Sequence, residues 1–168
     1  MLRILLVSLL FLTQLFSQSS QKFPFIGVSV STQTLDINLK NKVQKAGFGL
    51  KYGQQTLDLR TTFSLEYNQN SYSSFSVEVD KILLDNMFGT PKLRPYLGAI
   101  VGYMKFNNDE LREPFEETNG FYFGGNLGFI IYATDHIDID ISYHYYKIKN
   151  LDFLDDLHGT SLAAHYFF

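Results

Sequence analysis

From about residue 22 almost to its end, this chain alternates apolar and polar residues with a period of two. Wound into a helix, such a pattern would scatter apolar side chains all round; on a β-strand it divides cleanly between two faces. The run TLDLRTTFSLEYN is the clearest: Leu57, Leu59, Thr61, Phe63, Leu65 and Tyr67 share one face, and Asp58, Arg60, Thr62, Ser64 and Glu66 the other. The same division recurs in PFIGVSVST, KAGFGLKYG, SSFSVEVDKIL, RPYLGAIVGYMKF, GFYFGGNLGFIIY, IDIDISYHYY and a closing stretch from about Gly159 to Phe168, which makes eight strands. With 11 Tyr and 16 Phe against 4 Pro, the composition also favours strands over helices.

The connections expected between these runs alternate in length. Leu35 to Gln44, Asn107 to Asn119 and Lys147 to His158 read as long, while Gln54-Gln55 and Ala133 to His136 read as tight. Asn68 to Ser71 is modest, and Asp85 to Lys92 carries Gly89 and Pro91. An even number of strands brings both termini to one side, so the longest excursions fall on the other. Ahead of the strands, residues 1–19 place Arg3 before an apolar run from Ile4 to Leu12 and then Ser17 and Ser19, the layout of a cleaved secretory signal. The apolar run is shorter than the roughly 20 residues a membrane-spanning helix needs. Residues 20–168 are then the mature domain; loss of Arg3 leaves 13 basic against 17 acidic residues, a charge near −4. That balance offers nothing to nucleic acid. With no cysteine, disulfides, thiolate metal sites and cysteine nucleophiles are excluded.

Alternation alone does not say which face is inside. A soluble barrel buries its apolar face, a membrane barrel turns it to lipid. Three features favour lipid. The polar faces carry Gly47, Gly49, Gly53, Gly98, Gly102, Gly124 and Gly128, which weaken a solvated strand but make room in a narrow lumen. The apolar faces carry Tyr67, Tyr103, Phe121, Tyr143, Tyr145, Tyr166 and Phe168 towards strand ends, where aromatic rings straddle a membrane interface. Each run also supplies the ~9–11 tilted residues that cross a hydrocarbon core. Because hydrocarbon tolerates no unpaired strand edge, the first run must then pair with the last. The expected fold class is all-β, an eight-stranded antiparallel up-and-down transmembrane β-barrel.

The combination of leader, eight alternating segments and a terminal aromatic resembles the small outer-membrane barrels of the OmpA-transmembrane-domain and OmpX type. RPYLGAIVGY and GFYFGGNLGF are similar to the glycine-aromatic strands of that superfamily. The tail LAAHYFF resembles the C-terminal signal read by the barrel-assembly machinery, which points to Leu162, Ala164, Tyr166 and Phe168 as the signal-bearing face. The resemblance implies residence in the outer membrane of a double-membraned bacterium, contact with its lipid and lipopolysaccharide, and a monomer. It implies a structural or surface-interaction role, in envelope integrity or adhesion, rather than an enzymatic one.

The lumen is the first place to look for chemistry. The inward face should hold Lys51, Arg60 and Arg94 against Asp58, Glu66, Glu78, Asp80, Asp138 and Asp140, with His144 and His165. Buried charges persist only when paired and hydrogen-bonded, so a structural network centred on Arg60 is expected. The surplus of acids makes a narrow cation-preferring pore the functional alternative, although eight strands leave little open channel. YHYYKIKN loosely resembles the His-bearing strand of PagL-type lipid A deacylases. There a Ser two residues on completes the site; here that position is Tyr146, a poor substitute for a serine nucleophile. No catalytic residue, metal or cofactor is therefore assigned.

Two segments remain for an extracellular partner, 107–119 and 147–158. The first carries Asp109, Glu110, Glu113, Glu116 and Glu117 against Arg112, without the spacing of a calcium loop. The second, KNLDFLDDLHG, sets Leu151, Phe153, Leu154 and Leu157 where a water-facing loop is expected. Those leucines either extend the hairpin and fold over the barrel mouth or form a contact surface. At the chain end, Phe167 is the misfit, an apolar residue on the inward face expected to cap the lumen.

Overall fold

The computed structural model describes residues 21–37, 41–68, 72–83, 89–106, 118–151 and 154–168. The leader expected at 1–19 lies outside them. Eight strands form one closed ring in chain order: β1 (Phe23–Ile37), β2 (Asn41–Gln55), β3 (Leu59–Asn68), β4 (Tyr72–Ile82), β5 (Leu93–Phe106), β6 (Asn119–Tyr132), β7 (Ile137–Lys149) and β8 (Leu154–Phe167). Every pairing is antiparallel, and β1 closes on β8 from Phe25 opposite Phe167 upward. The register sets the shape. Walking straight across the strands from Phe25 through Gly53, Thr62, Glu78, Ile100, Gly124, Tyr146 and Leu157 returns to β1 at Leu35, ten residues further on. For eight strands, that stagger corresponds to a tilt of about 40° and a backbone radius of roughly 8 Å. Opposite walls are thus close enough for long side chains to meet across the axis.

The alternation sorts as expected in the middle of the barrel. Ile26, Val28, Leu50, Phe63, Leu65, Val79, Leu97, Val101, Phe123, Leu127, Ile141 and Leu162 point outward and are exposed, while the residues between them are buried or half-buried. On β6, the outward face from Phe121 to Ile131 climbs about 25 Å at roughly 2.5 Å per tilted residue, the height of an outer-membrane barrel's apolar band. Aromatic pairs mark the edges of this belt: Phe48 lies opposite Tyr67, and Tyr103 meets Phe121 edge-on at 5.1 Å. Inside, glycines face large residues on the neighbouring strand. Gly53 lies opposite Phe25, Gly102 opposite Tyr122, Gly124 opposite Tyr146 and Gly128 opposite Tyr96. A Cβ on Gly102 would strike the Tyr122 ring, and one on Gly128 would sit 2.9 Å from that of Tyr96. The glycines are where rings lie flat against the wall.

Towards both rims the pattern inverts, and apolar residues turn inward. Above the belt, Leu35, Tyr72, Met104, Phe106, Ile148, Leu151, Leu154 and Leu157 form a buried cluster that continues down to Tyr122. Their outward neighbours are Thr34, Ser73, Lys105, Lys147 and Lys149. At the terminal rim Ile82, Tyr96 and Ile130 close the lumen with Tyr132, and Phe167 packs on Phe25 at 5.5 Å. The far end of the barrel is therefore built like a soluble one, with its apolar side chains inside.

This inversion corrects two expected loops. β1 runs to Ile37 and β2 begins at Asn41, so Leu35 to Gln44 is mostly ladder, with Leu35 opposite Val43. β7 likewise runs to Lys149 and β8 starts at Leu154, with Asn150 in the left-handed region (φ 66°) at the hairpin bend. Leu151, Leu154 and Leu157 cover the barrel mouth from within and present no apolar surface outward. The far-side connections are consequently not all long. On the terminal side, Thr56 Oγ1 accepts the Leu59 amide at 3.0 Å to tighten the β2–β3 turn.

Candidate functional site

The lumen holds the chemistry-bearing side chains, in layers. Nearest the termini, Arg60 reaches from β3 across to β7, four strands away on the opposite wall. Its guanidinium donates to Asp138 Oδ2 at 2.6 Å and to Asp140 Oδ2 at 2.9 Å, and its Nε donates to Gln55 Oε1 at 2.8 Å. Its carbon lies 5.5 Å from the centre of the Phe25 ring. Both carboxylates are held from behind. Tyr96 donates to Asp140 Oδ1 at 2.9 Å, and His165 Nδ1 lies 2.7 Å from Asp138 Oδ1. Gln55 in turn donates to the Tyr132 hydroxyl at 2.8 Å. Arg60 is only 2% exposed, so burial makes this network costly to interrupt.

The middle layer is acidic. Asn126 Nδ2 donates to Glu78 and, at 3.2 Å, to Asp80. Glu66 accepts from Ser31 Oγ at 2.5 Å and Gln33 Nε2 at 2.9 Å. Lys51 stands half-buried beside these carboxylates, on the wall of a cavity of about 30 Å³ bounded also by Ser64, Tyr122, Asn126 and His144. That volume admits one or two waters and no larger solute. His144 stacks on Tyr146 with ring centres 4.7 Å apart. The apolar cluster of the far rim lies directly above, and Phe25 with Phe167 below.

Of the residues expected to share this lumen, Lys51, Arg60, Glu66, Glu78, Asp80, Asp138, Asp140 and His144 face it, as do Arg94 and His165. Asp58 does not. It sits in the β2–β3 turn with its side chain 66% exposed and pairs with Lys81 at 3.0 Å. The strand begins at Leu59, so the alternation no longer sets the direction of Asp58. Charge alone does not single out the neutral members of the network, Ser31, Gln33, Gln55, Tyr96, Asn126 and Tyr132; all share the inward parity of their strands, which is the signal the sequence carries for them. At the chain end, Leu162, Ala164, Tyr166 and Phe168 face outward and Phe167 inward. Of the segments named for a partner, 107–117 lies outside the described residues, and 147–158 is largely the β7–β8 hairpin.

A closed eight-stranded ring with an apolar belt outside and a packed polar lumen inside is the fold of the small outer-membrane β-barrels. Among solved structures the chain is similar to neisserial surface protein A, at 16% identity over 86% of this chain and 97% of that one, with a TM-score of 0.66. It is similar also to outer membrane protein H of P. aeruginosa (17% identity, 87% and 99% covered, TM-score 0.64) and to Ail, the attachment invasion locus protein of Yersinia pestis (19%, 88% and 99%, 0.58). Comparison of the sequence with protein-family models and with curated proteins gives no match. At these identities the likeness is one of fold.

Proposed function

We propose that this protein is a monomeric barrel of the outer membrane of a double-membraned bacterium, with a sealed lumen and a structural or surface-interaction role. Residues 1–19 act as its cleaved export signal, and the outward face Leu162, Ala164, Tyr166 and Phe168 as its assembly signal. Both termini then lie in the periplasm and the far rim outside the cell. The observation that carries the non-conducting part of this reading is the Arg60 clasp, which spans the lumen between two apolar seals. His144 is turned into that sealed interior, away from any lipid substrate, which supports a non-enzymatic role. Ail, of the same fold, is named for attachment and has been crystallised with a heparin analogue, which supports a surface-interaction role for the far rim.

Two measurements test this. In a planar bilayer, the purified protein is expected to give no steady conductance, whereas a stable cation-selective current would refute the sealed lumen. Lipid A from cells with and without the protein is expected to have identical acyl-chain masses, and any shortening would refute the non-enzymatic reading.

A further inference from the structure

The apolar belt is not level around the ring. Along a tilted strand each residue climbs about 2.5 Å, and each step straight across, in the direction β1 to β8, climbs about 3 Å, because eight strands share the ten-residue stagger. Lys81, Leu97, Leu127, Tyr143 and Thr160 lie straight across from one another on β4 to β8, all facing outward. Thr160 therefore stands about 9 Å above Leu97, which is the axial height of Val101, four residues further up β5. Ala164, four residues down β8 from Thr160, stands within about 3 Å of the height of Lys81. Each pair joins unlike residues at one height. Val101 and Ala164 belong to the apolar belt, whereas Thr160 shares a hydrogen bond with Thr32 at 3.0 Å and Lys81 pairs with Asp58 at 3.0 Å.

An upright barrel would hold Thr160 as deep in hydrocarbon as Val101, and Lys81 as deep as Ala164, although a charge on the lipid face is costly there. We infer that the barrel sits tilted in the bilayer, with β8 raised and the opposite strand, β4, sunk. Raising β8 carries Thr160 to the headgroups and Ala164 to the middle of the hydrocarbon. Sinking β4 and β5 carries Lys81 to the water at the terminal rim and Val101 to the middle. The apolar run of β4 centres on Val77, and that of β8, from Leu162 to Phe168, centres about 10 Å lower; across an outer width of roughly 22 Å this is a tilt of about 25°. The exposed ion pairs then mark the water level at diagonally opposite corners, Lys147 with Asp156 on the raised side and Lys81 with Asp58 on the sunk side. The tilt rests on the outer-membrane reading above, and it says which arc of the far rim, β7 to β1, stands clear of the lipid.

The chain has no cysteine, so single nitroxide labels can report depth. Val101→Cys, Thr160→Cys, Lys81→Cys and Ala164→Cys are labelled one at a time in the full barrel, refolded into dimyristoylphosphatidylcholine vesicles, and probed by their access to oxygen and to a water-soluble nickel chelate. Labels at Val101 and Ala164 should favour oxygen and those at Thr160 and Lys81 the chelate, with a depth difference of about 10 Å within each pair. Leu127→Cys, on β6 midway between the raised and sunk strands, should report hydrocarbon. Polarised infrared spectra of the unlabelled wild type in aligned bilayers provide a second readout: strand order along the membrane normal should be about a quarter below that of an upright barrel with the same strand tilt. Equal depths within both pairs, with Leu127 in hydrocarbon, would overturn the tilt and leave the membrane reading standing. Upright dichroism would also overturn it, since wet labels at Thr160 and Lys81 would then mean a locally thinned bilayer. A water-exposed Leu127 label would sink the membrane reading and the tilt with it.

Discussion

Arg60 offers the sharpest test of how this barrel is held together. Replacing it with methionine keeps most of the volume against Phe25 but removes every hydrogen bond to Gln55, Asp138 and Asp140. The two carboxylates would remain, buried and near one another, with their only shared cation gone. Breaking one side of a buried ion pair costs about 3–5 kcal/mol, chiefly through the charge left behind. Arg60→Met should therefore lower unfolding stability by about that amount, measured by urea titration of the barrel in lipid vesicles with circular dichroism as readout. The reasoning makes a second demand. If stranded charge is the cause, adding Asp138→Asn and Asp140→Asn to the same chain should restore most of the loss, since removing all members of a buried ion network is often nearly neutral. A loss under about 1 kcal/mol in the single variant, or a triple variant no better than the single, would refute it, and the clasp would then be a packing element only.

Other substitutions separate the layers of the structure. Gly102→Val places a Cβ in the Tyr122 ring and should cost about 1–3 kcal/mol through overpacking, while Gly125→Val, which points outward, should cost well under that in the same titration. Asp58→Asn should change stability by under about 0.5 kcal/mol, because its pair with Lys81 is solvent-exposed, whereas Asp138→Asn should cost several times more; equal effects would mean that Asp58 shares the lumen after all. Deleting Phe168 should reduce the folded fraction recovered in outer membranes far more than Phe167→Ala does. Phe167→Ala should instead lower the urea midpoint, because it removes the ring packed on Phe25; similar membrane recovery of the two would count against the assembly-signal reading.

Residues such as Phe63, Leu65, Val101 and Leu127 made the belt legible in the sequence because a membrane barrel and its solvent impose one rule along each strand: apolar out, polar in. That rule holds only over the height of the hydrocarbon. Leu35, Tyr72, Met104, Ile148 and Leu157 obey its opposite, since above the membrane the outside is water and the inside must supply the core. Where the rule changes sign, the pattern breaks for a residue or two even though the backbone ladder continues without a gap. Leu35 opposite Val43, and Tyr146 opposite Leu157, are such continuations. A break in amphipathic phase has the local pattern of a loop, which is why alternation alone places the first and last hairpins short of their full length. The lumen was legible for the same reason the belt was, through parity, but parity says only that Arg60, Asp138 and Asp140 share an interior. That Arg60 meets those two acids, while Glu78 and Asp80 share Asn126, follows from the ten-residue stagger of the ring. The stagger determines which inward residues stand at one height on opposite walls, and it belongs to no single strand, so no local pattern encodes it.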